Sequence, residues 1–197
     1  MAHEIILSQE IFDKIKKQCM DVYKKGVQPE LSGFIMSLMD IEGVPMHFPY
    51  HHFMLPAVLL TAASLQTGRS EEELDEMLDI AMARSQNILG GFCGNYGACG
   101  AGVGAGIFMS VFTDASPMSD ETWQWSNEIT GICLQKISGV PGPRCCKRTC
   151  FLSLEAAVPY ICEKLGFVLD LSENIECKYH ERNDECKKEE CPFYPEA

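Results

Sequence analysis

Residues 92–108 read FCGNYGACGAGVGAGIF. Cys93 and Cys99 stand among Gly94, Gly97, Gly100, Gly102, Gly104 and Gly106, with Gly91 just ahead. Glycine inside a helix costs about 0.5–1 kcal/mol against alanine, so a run of this kind needs a compensating reason. Close approach supplies one: backbone must come near another backbone, a bound group or a metal cluster. Ala98 to Phe112 is predicted as a helix of small residues packed tightly on its neighbours. The GAGVGAG run is not read as a nucleotide loop, because no convincing strand precedes it and no Walker lysine follows. The stretch therefore predicts a mostly α chain, a single helical domain built around a glycine-rich, cysteine-containing loop.

Helical periodicity extends to both sides. Ile11, Phe12, Ile15, Cys19, Val22 and Tyr23 recur at three and four, which predicts a helix capped by Ser8 and ended by Gly26. Pro29 to Met39 reads as a second helix. An apolar helix is expected to start near Pro56, a favourable first helical residue. Pro49, between His47 and His51, argues against a helix there. Ser70 and Glu73 form a capping box for a helix to about Ile88. Ser119 is expected to cap a helix from Asp120 to Ser138, and RCCKRTCFLSLEAAVPYICEKLG a last helix closed by Gly166. Only Phe167 to Leu171 (FVLDL) looks like a strand. Beyond Asp170 the chain turns polar and loses its apolar period, dividing it into a helical core of residues 1–170 and a cysteine-rich tail of 171–197. Such a tail needs another source of order, and a metal provides one.

Composition narrows the chemistry. The 197-residue chain carries a formal charge of -12, against general nucleic-acid or anionic-membrane binding. Its apolar share of 46% is ample for a core. No apolar run approaches the roughly 18 residues of a membrane span. The start, MAHEIILSQEIFDKIKK, has no apolar signal region, so a cytoplasmic protein is expected. Eleven cysteines in a reducing compartment point to metal or redox chemistry rather than disulfides. Cys19 and Cys162 sit alone in helical patterns and read as packing residues.

The other thiols fall into two sets. The tail carries Cys177, Cys186 and Cys191, with His180 near the first and Pro192 after the last. Three thiolates and His180 would suit tetrahedral zinc; the same thiolates would suit an iron–sulfur cluster completed by a core cysteine. The core set is Cys93, Cys99, Cys133, Cys145 and Cys146. Cys145 and Cys146 begin a helix, where the macrodipole favours thiolate, beside Arg144, Lys147 and Arg148. Adjacent cysteines do not readily face one metal, so one of the two is expected at a given cluster. The same cations at a helix start suit a carboxylate or phosphate. Three of the five histidines, His47, His51 and His52, lie within six residues.

With FCGNYGACGAGVGAGIF, TGICLQKI, GPRCCKR and the tail C-x8-C-x4-CP together, the chain resembles an uncharacterised cysteine-rich family of methanogenic archaea and anaerobic bacteria, sometimes attached to methyltransferase-like domains. The resemblance runs from about His51 to Pro192 and implies an anaerobic setting, which favours an oxygen-sensitive iron–sulfur cluster, 4Fe-4S above all, over zinc. The expected function is an iron–sulfur protein, as a lyase or sulfur-transfer enzyme acting on a small anionic substrate. The other readings are a non-enzymatic carrier of metal, sulfur or electrons for a partner protein, oligomeric or not, and a zinc-stabilised interaction domain. The expected catalytic residues are His51, His52 and Arg144. Gly94, Gly97, Gly100 and Lys147 are expected beside the cofactor, with Cys93, Cys99, Cys133, Cys145, Cys146, Cys177, Cys186 and Cys191 on metal.

Overall fold

The computed structural model describes residues 7–195. Eight α-helices follow one another: α1 (Gln9–Lys24), α2 (Leu31–Met39), α3 (Tyr50–Thr67), α4 (Glu71–Gln86), α5 (Phe92–Asn95), α6 (Gly100–Phe112), α7 (Glu121–Ser138) and α8 (Cys146–Leu165). Two single 3-10 turns lie in the tail, and no strand occurs among the described residues.

Helix α3 is the axis. It is buried on every side from Phe53 to Ser64 and is walled by α1, α2, α4, α6 and α8. Helix α6 lies between α3 and α7, and its glycines explain how. A Cβ on Gly104 would stand 2.9 Å from the carbonyl oxygen of His52 in α3. A Cβ on Gly106 would stand 2.0 Å from Thr130 Oγ1 and 2.9 Å from the carbonyl oxygen of Ser126, both in α7. One glycine face thus admits α3 and the other α7, so two backbones reach α6 where any side chain would hold them off.

Three boundaries differ from the sequence expectation. Helix α3 starts at Tyr50, six residues before Pro56, and carries Pro56 inside it. Proline removes the N–H that would reach the carbonyl of His52; the hydroxyl of Ser85 in α4 donates to that oxygen at 3.3 Å instead. Helix α2 is capped by Glu30, whose carboxylate accepts from the N–H groups of Ser32, Gly33 and Ser172. Helix α7 is preceded by Asp120 rather than capped by the Ser119 side chain, which bonds the N–H of Ser116. The capping box of Ser70 and Glu73 forms as expected.

Phe167–Leu171 is not a strand. Its backbone goes to the start of α2 instead, with the Leu31 N–H on the carbonyl of Asp170 at 2.9 Å. From there the tail folds back over the core. Ile175, Tyr179 and Phe193 are buried. The Tyr179 hydroxyl donates to the carbonyl of Met36, and Phe193 packs edge-on against Phe151 of α8 at 5.3 Å. Residues 171–195 are therefore an irregular cover docked on α2 and α8, attached through few but buried groups. No helix is long and apolar enough to cross a membrane among the described residues.

Candidate functional site

Cys145 and Cys146 stand where the chain enters α8, and their side chains serve different spaces. Cys146 lines a cavity of about 360 Å³ together with Cys93, Cys99, His51, His52, Arg144 and Arg148. Cys145 lines that cavity too and also walls a second, much smaller one of about 10 Å³, whose other walls include Cys177, Cys186 and Cys191. Sequence-distant segments build both: the α5 turn, the start of α6, the start of α3 and the start of α8 meet at the first, and the tail meets α8 at the second.

The larger cavity takes its shape from glycine. Helix α6 begins at Gly100, where a Cβ would fall 2.2–2.4 Å from the His52 ring. The ring can lie over that backbone only because Gly100 has no side chain. Gly91 and Gly97 have φ of +79° and +69°, which the chain uses to turn into α5 and back out of it. Gly94 and Gly97 meet nothing within 4 Å of a built Cβ and leave the wall open.

Of the histidines, His52 is the chemically available one. Its Nδ1–H donates to the carbonyl of Ile88 at 3.2 Å, leaving Nε2 with no protein partner among the described residues. Burial pushes its pKa down to about 4, so the ring is neutral at pH 7 and presents an Nε2 lone pair. That pattern, one nitrogen fixed by a carbonyl and the other free, is the arrangement that holds a basic or ligating imidazole in one tautomer. His51 differs. Its Nδ1–H donates to Phe48 O at 2.8 Å and its Nε2 accepts from Lys147 Nζ at 2.8 Å, so both nitrogens are occupied. Burial, then the neighbouring Lys147 charge, holds its pKa well below the usual imidazole value.

Lys147 is itself wholly buried. Its amino group is turned to His51 and the carbonyl of Pro45 and sits over the Tyr179 ring, not toward the cavity. Burial lowers its pKa to about 8. It is a core cation, and the cofactor-side role expected of it is not what the geometry gives. Gly100 likewise spends its open space on His52. Cys133 lines neither cavity; its thiol donates to the carbonyl of Ser153 at 3.6 Å between α7 and α8. Cys150 points its thiol at the carbonyl of His51 and is fully buried.

The cations at the cavity are Arg144 and Arg148. Arg144 is half exposed, with Glu185 at 3.8 Å. Arg148 is 5% exposed and walls both cavities. One of its terminal nitrogens donates to Pro143 O at 2.7 Å, while Nε is buried without an acceptor. An unpartnered guanidinium N–H costs free energy unless an anion or another acceptor meets it.

The thiols repel one another as anions. Cys146 is pushed up to about 12, first by burial and then by Cys99, Cys145 and Cys93. Cys177 is pushed up to about 11 by burial, with Cys145, Cys191 and Cys186 adding to it. Cys146 and Cys177 are therefore protonated at neutral pH unless a metal supplies positive charge, which is the usual coupling of thiolate ligands to metal. As they stand, no three His, Cys, Asp or Glu of the described residues converge on a point that could hold one ion. Around the larger cavity, spread thiols and ample space fit a polynuclear group better than a single ion.

His47 and Asn183 connect the two sets. The Cys146 N–H donates to His47 Nδ1 at 3.4 Å, His47 Nε2–H donates to Asn183 Oδ1 at 3.0 Å, and Asn183 Nδ2 reaches Cys145 Sγ at 3.7 Å. The sequence had shown no sign of Asn183, and nothing in residue type or spacing separates it from the other polar residues of the tail.

Compared with known proteins, the chain matches the Family of unknown function (DUF5714) over residues 15–194, and it belongs to that family. Neither a curated protein nor a solved structure matches it.

Proposed function

We propose that this member of the DUF5714 family is an iron–sulfur protein of anaerobic metabolism, with a 4Fe-4S cluster in the larger cavity held by Cys93, Cys99 and Cys146. The observation that carries this reading is the convergence of three thiols from three separate segments on one cavity of about 360 Å³, beside a neutral His52 and two arginines. Three thiolates on a four-iron cluster leave one iron open, and that iron supplies Lewis-acid chemistry when the cluster is bound.

The protein's own groups then have distinct tasks. Arg144, at the mouth, and Arg148, in the wall, supply the positive charge for the anionic end of a small carboxylate or phosphate substrate. His52 accepts a proton at Nε2, with Ile88 fixing its tautomer. Apolar side chains of α7, Leu134 and Ile137, wall the cavity and limit water. A lyase or sulfur-transfer reaction on a small anionic substrate suits these parts. The same cluster serving as a carrier of electrons or sulfur for a partner protein is the reading that the test below separates from it.

The test is purification without oxygen, with iron, acid-labile sulfide and zinc measured per chain. Wild-type protein is expected to carry iron and sulfide in equal amounts, and Cys99→Ser and Cys146→Ser to lose most of it while keeping their helical circular dichroism. A colourless wild type with zinc and no sulfide overturns the reading. Adding small hydroxy acids or thiols is expected to change the electron paramagnetic resonance of the reduced cluster. No change with any of them, beside a reversible redox couple, favours the carrier.

A further inference from the structure

Cys145, Cys177, Cys186 and Cys191 wall one small space that Cys93, Cys99 and Cys146 do not line. From this we infer a second metal centre, a closed tetrathiolate site that takes a thiophilic metal and clamps the tail to the start of α8, with Cys145 as the ligand from the core.

Four observations converge on it. The tail brings three cysteines and lacks a fourth, and the fold places Cys145, more than thirty residues earlier, in the same wall. The space is about 10 Å³, the scale of a single small atom and far below that of the larger cavity. One of the sulfurs is also held by a backbone amide: the N–H of Lys188 donates to Cys186 Sγ at 3.4 Å. Amide N–H groups two residues after a cysteine stabilise a thiolate and fix its direction, as outer partners of metal ligands do. Finally, Arg148, 95% buried, walls this space with an unpartnered Nε–H, and a tetrathiolate centre is a net anion beside it.

The surroundings suit a structural centre rather than an open one. Phe151 and Phe193 close one side and Asn183 reaches Cys145 from another. His180, beside the tail cysteines, stacks edge-on with Tyr194 at 5.0 Å and is not needed as a ligand once Cys145 is counted. Four protein thiolates leave no position for substrate. A zinc ion and a single iron ion share this thiolate chemistry and this scale, and metal analysis tells them apart.

This centre does not depend on the cluster proposed for the larger cavity, and different variants read the two. In full-length protein purified without oxygen, Cys145→Ser and Cys186→Ser are expected to lose the same metal, zinc or iron without sulfide, to the same extent of one ion per chain. Cys146→Ser is expected to keep it. Refilling the metal-free protein with cobalt(II) should give the intense thiolate charge-transfer absorption of a tetrathiolate in wild type, at least halved in Cys145→Ser. The inference is overturned if Cys145→Ser keeps its full metal complement while Cys186→Ser loses it, or if the wild type carries no metal beyond what Cys146→Ser loses. Should Cys145→Ser fail to fold, alkylation of the wild type decides. Cys177, Cys186 and Cys191 are expected to label at least tenfold faster after chelation, and equal rates with and without chelator overturn the centre.

Discussion

The two thiol sets flanking Cys145 and Cys146 are ordered by opposite means. Around the larger cavity, packed helices come first and the thiols are passengers. α6 is pressed between α3 and α7 by its glycines, and the Cys93 and Cys99 segments are presented on that scaffold. In the tail the order is reversed. Residues 171–195 contain two single 3-10 turns and few buried apolar groups, and they rest on the core through Ile175, Tyr179 and Phe193. A cavity built on regular helices can keep its form without a ligand and so can offer a metal open positions for substrate. A tail with so few buried groups cannot, and the centre proposed for it is accordingly a closed one. The lesson is that eleven cysteines in one small domain need not share a purpose.

This contrast can be broken most forcefully at Phe193. Phe193→Ala is expected to cost about 3–5 kcal/mol in chemical unfolding, because a 2%-exposed ring packed on Phe151 is removed. It should also release the tail's metal while the iron of the larger cavity stays; loss of both would show that the two regions are one unit.

Acid sharpens the comparison next. His52 has a folded pKa of about 4 against an ordinary value near 6.5, and His47 and His51 are also lowered. Between those values the unfolded chain binds more protons, so stability rises with pH. The contribution is complete above about pH 6.5 and is lost as pH falls through 4, roughly 3 kcal/mol for His52 alone. Thermal melts of metal-free protein from pH 7 to pH 4 measure it. Replacing His52 by Gln should flatten the curve, and an unchanged slope would remove the burial argument for its neutral ring.

Smaller effects separate the glycines. Gly104→Ala is expected to destabilise by about 1–3 kcal/mol, because the new Cβ meets the backbone of α3 rather than a flexible side-chain tip. Gly94→Ala, which meets nothing, is expected to stay within about 0.5 kcal/mol of wild type. Equal costs at the two positions would mean that α6 is not wedged as described.

Much of the fold was legible because amphipathic period and capping chemistry are local. Ile11, Phe12, Ile15 and Cys19 announce α1, and Ser70 with Glu73 announces α4. The failures were places where a distant group changed a local preference. Pro56 looked like a helix start until Ser85 took the carbonyl that proline leaves free. FVLDL looked like a strand, but its backbone partner is the start of α2. Lys147 read as a cation beside the cofactor, yet its side chain runs inward to His51. At the site, thiols and histidines could be nominated by type. Removing Cys133 from the metal sets, or choosing His52 over His51, needs the direction of a side chain, which residue spacing does not carry.

The sequence by itself determined that this is a helical, cysteine-rich, acidic domain with a glycine stretch under close-packing constraint and a tail lacking apolar order. Those properties follow from composition and short-range periodicity. Only the tertiary structure decided that the glycines admit α3, α7 and the His52 ring, and that Cys145 turns to the tail while Cys146 turns to Cys93 and Cys99. The physical reason is that neighbouring residues at the entry to a helix point in different directions. Which partners they meet there is set by helices dozens of residues away.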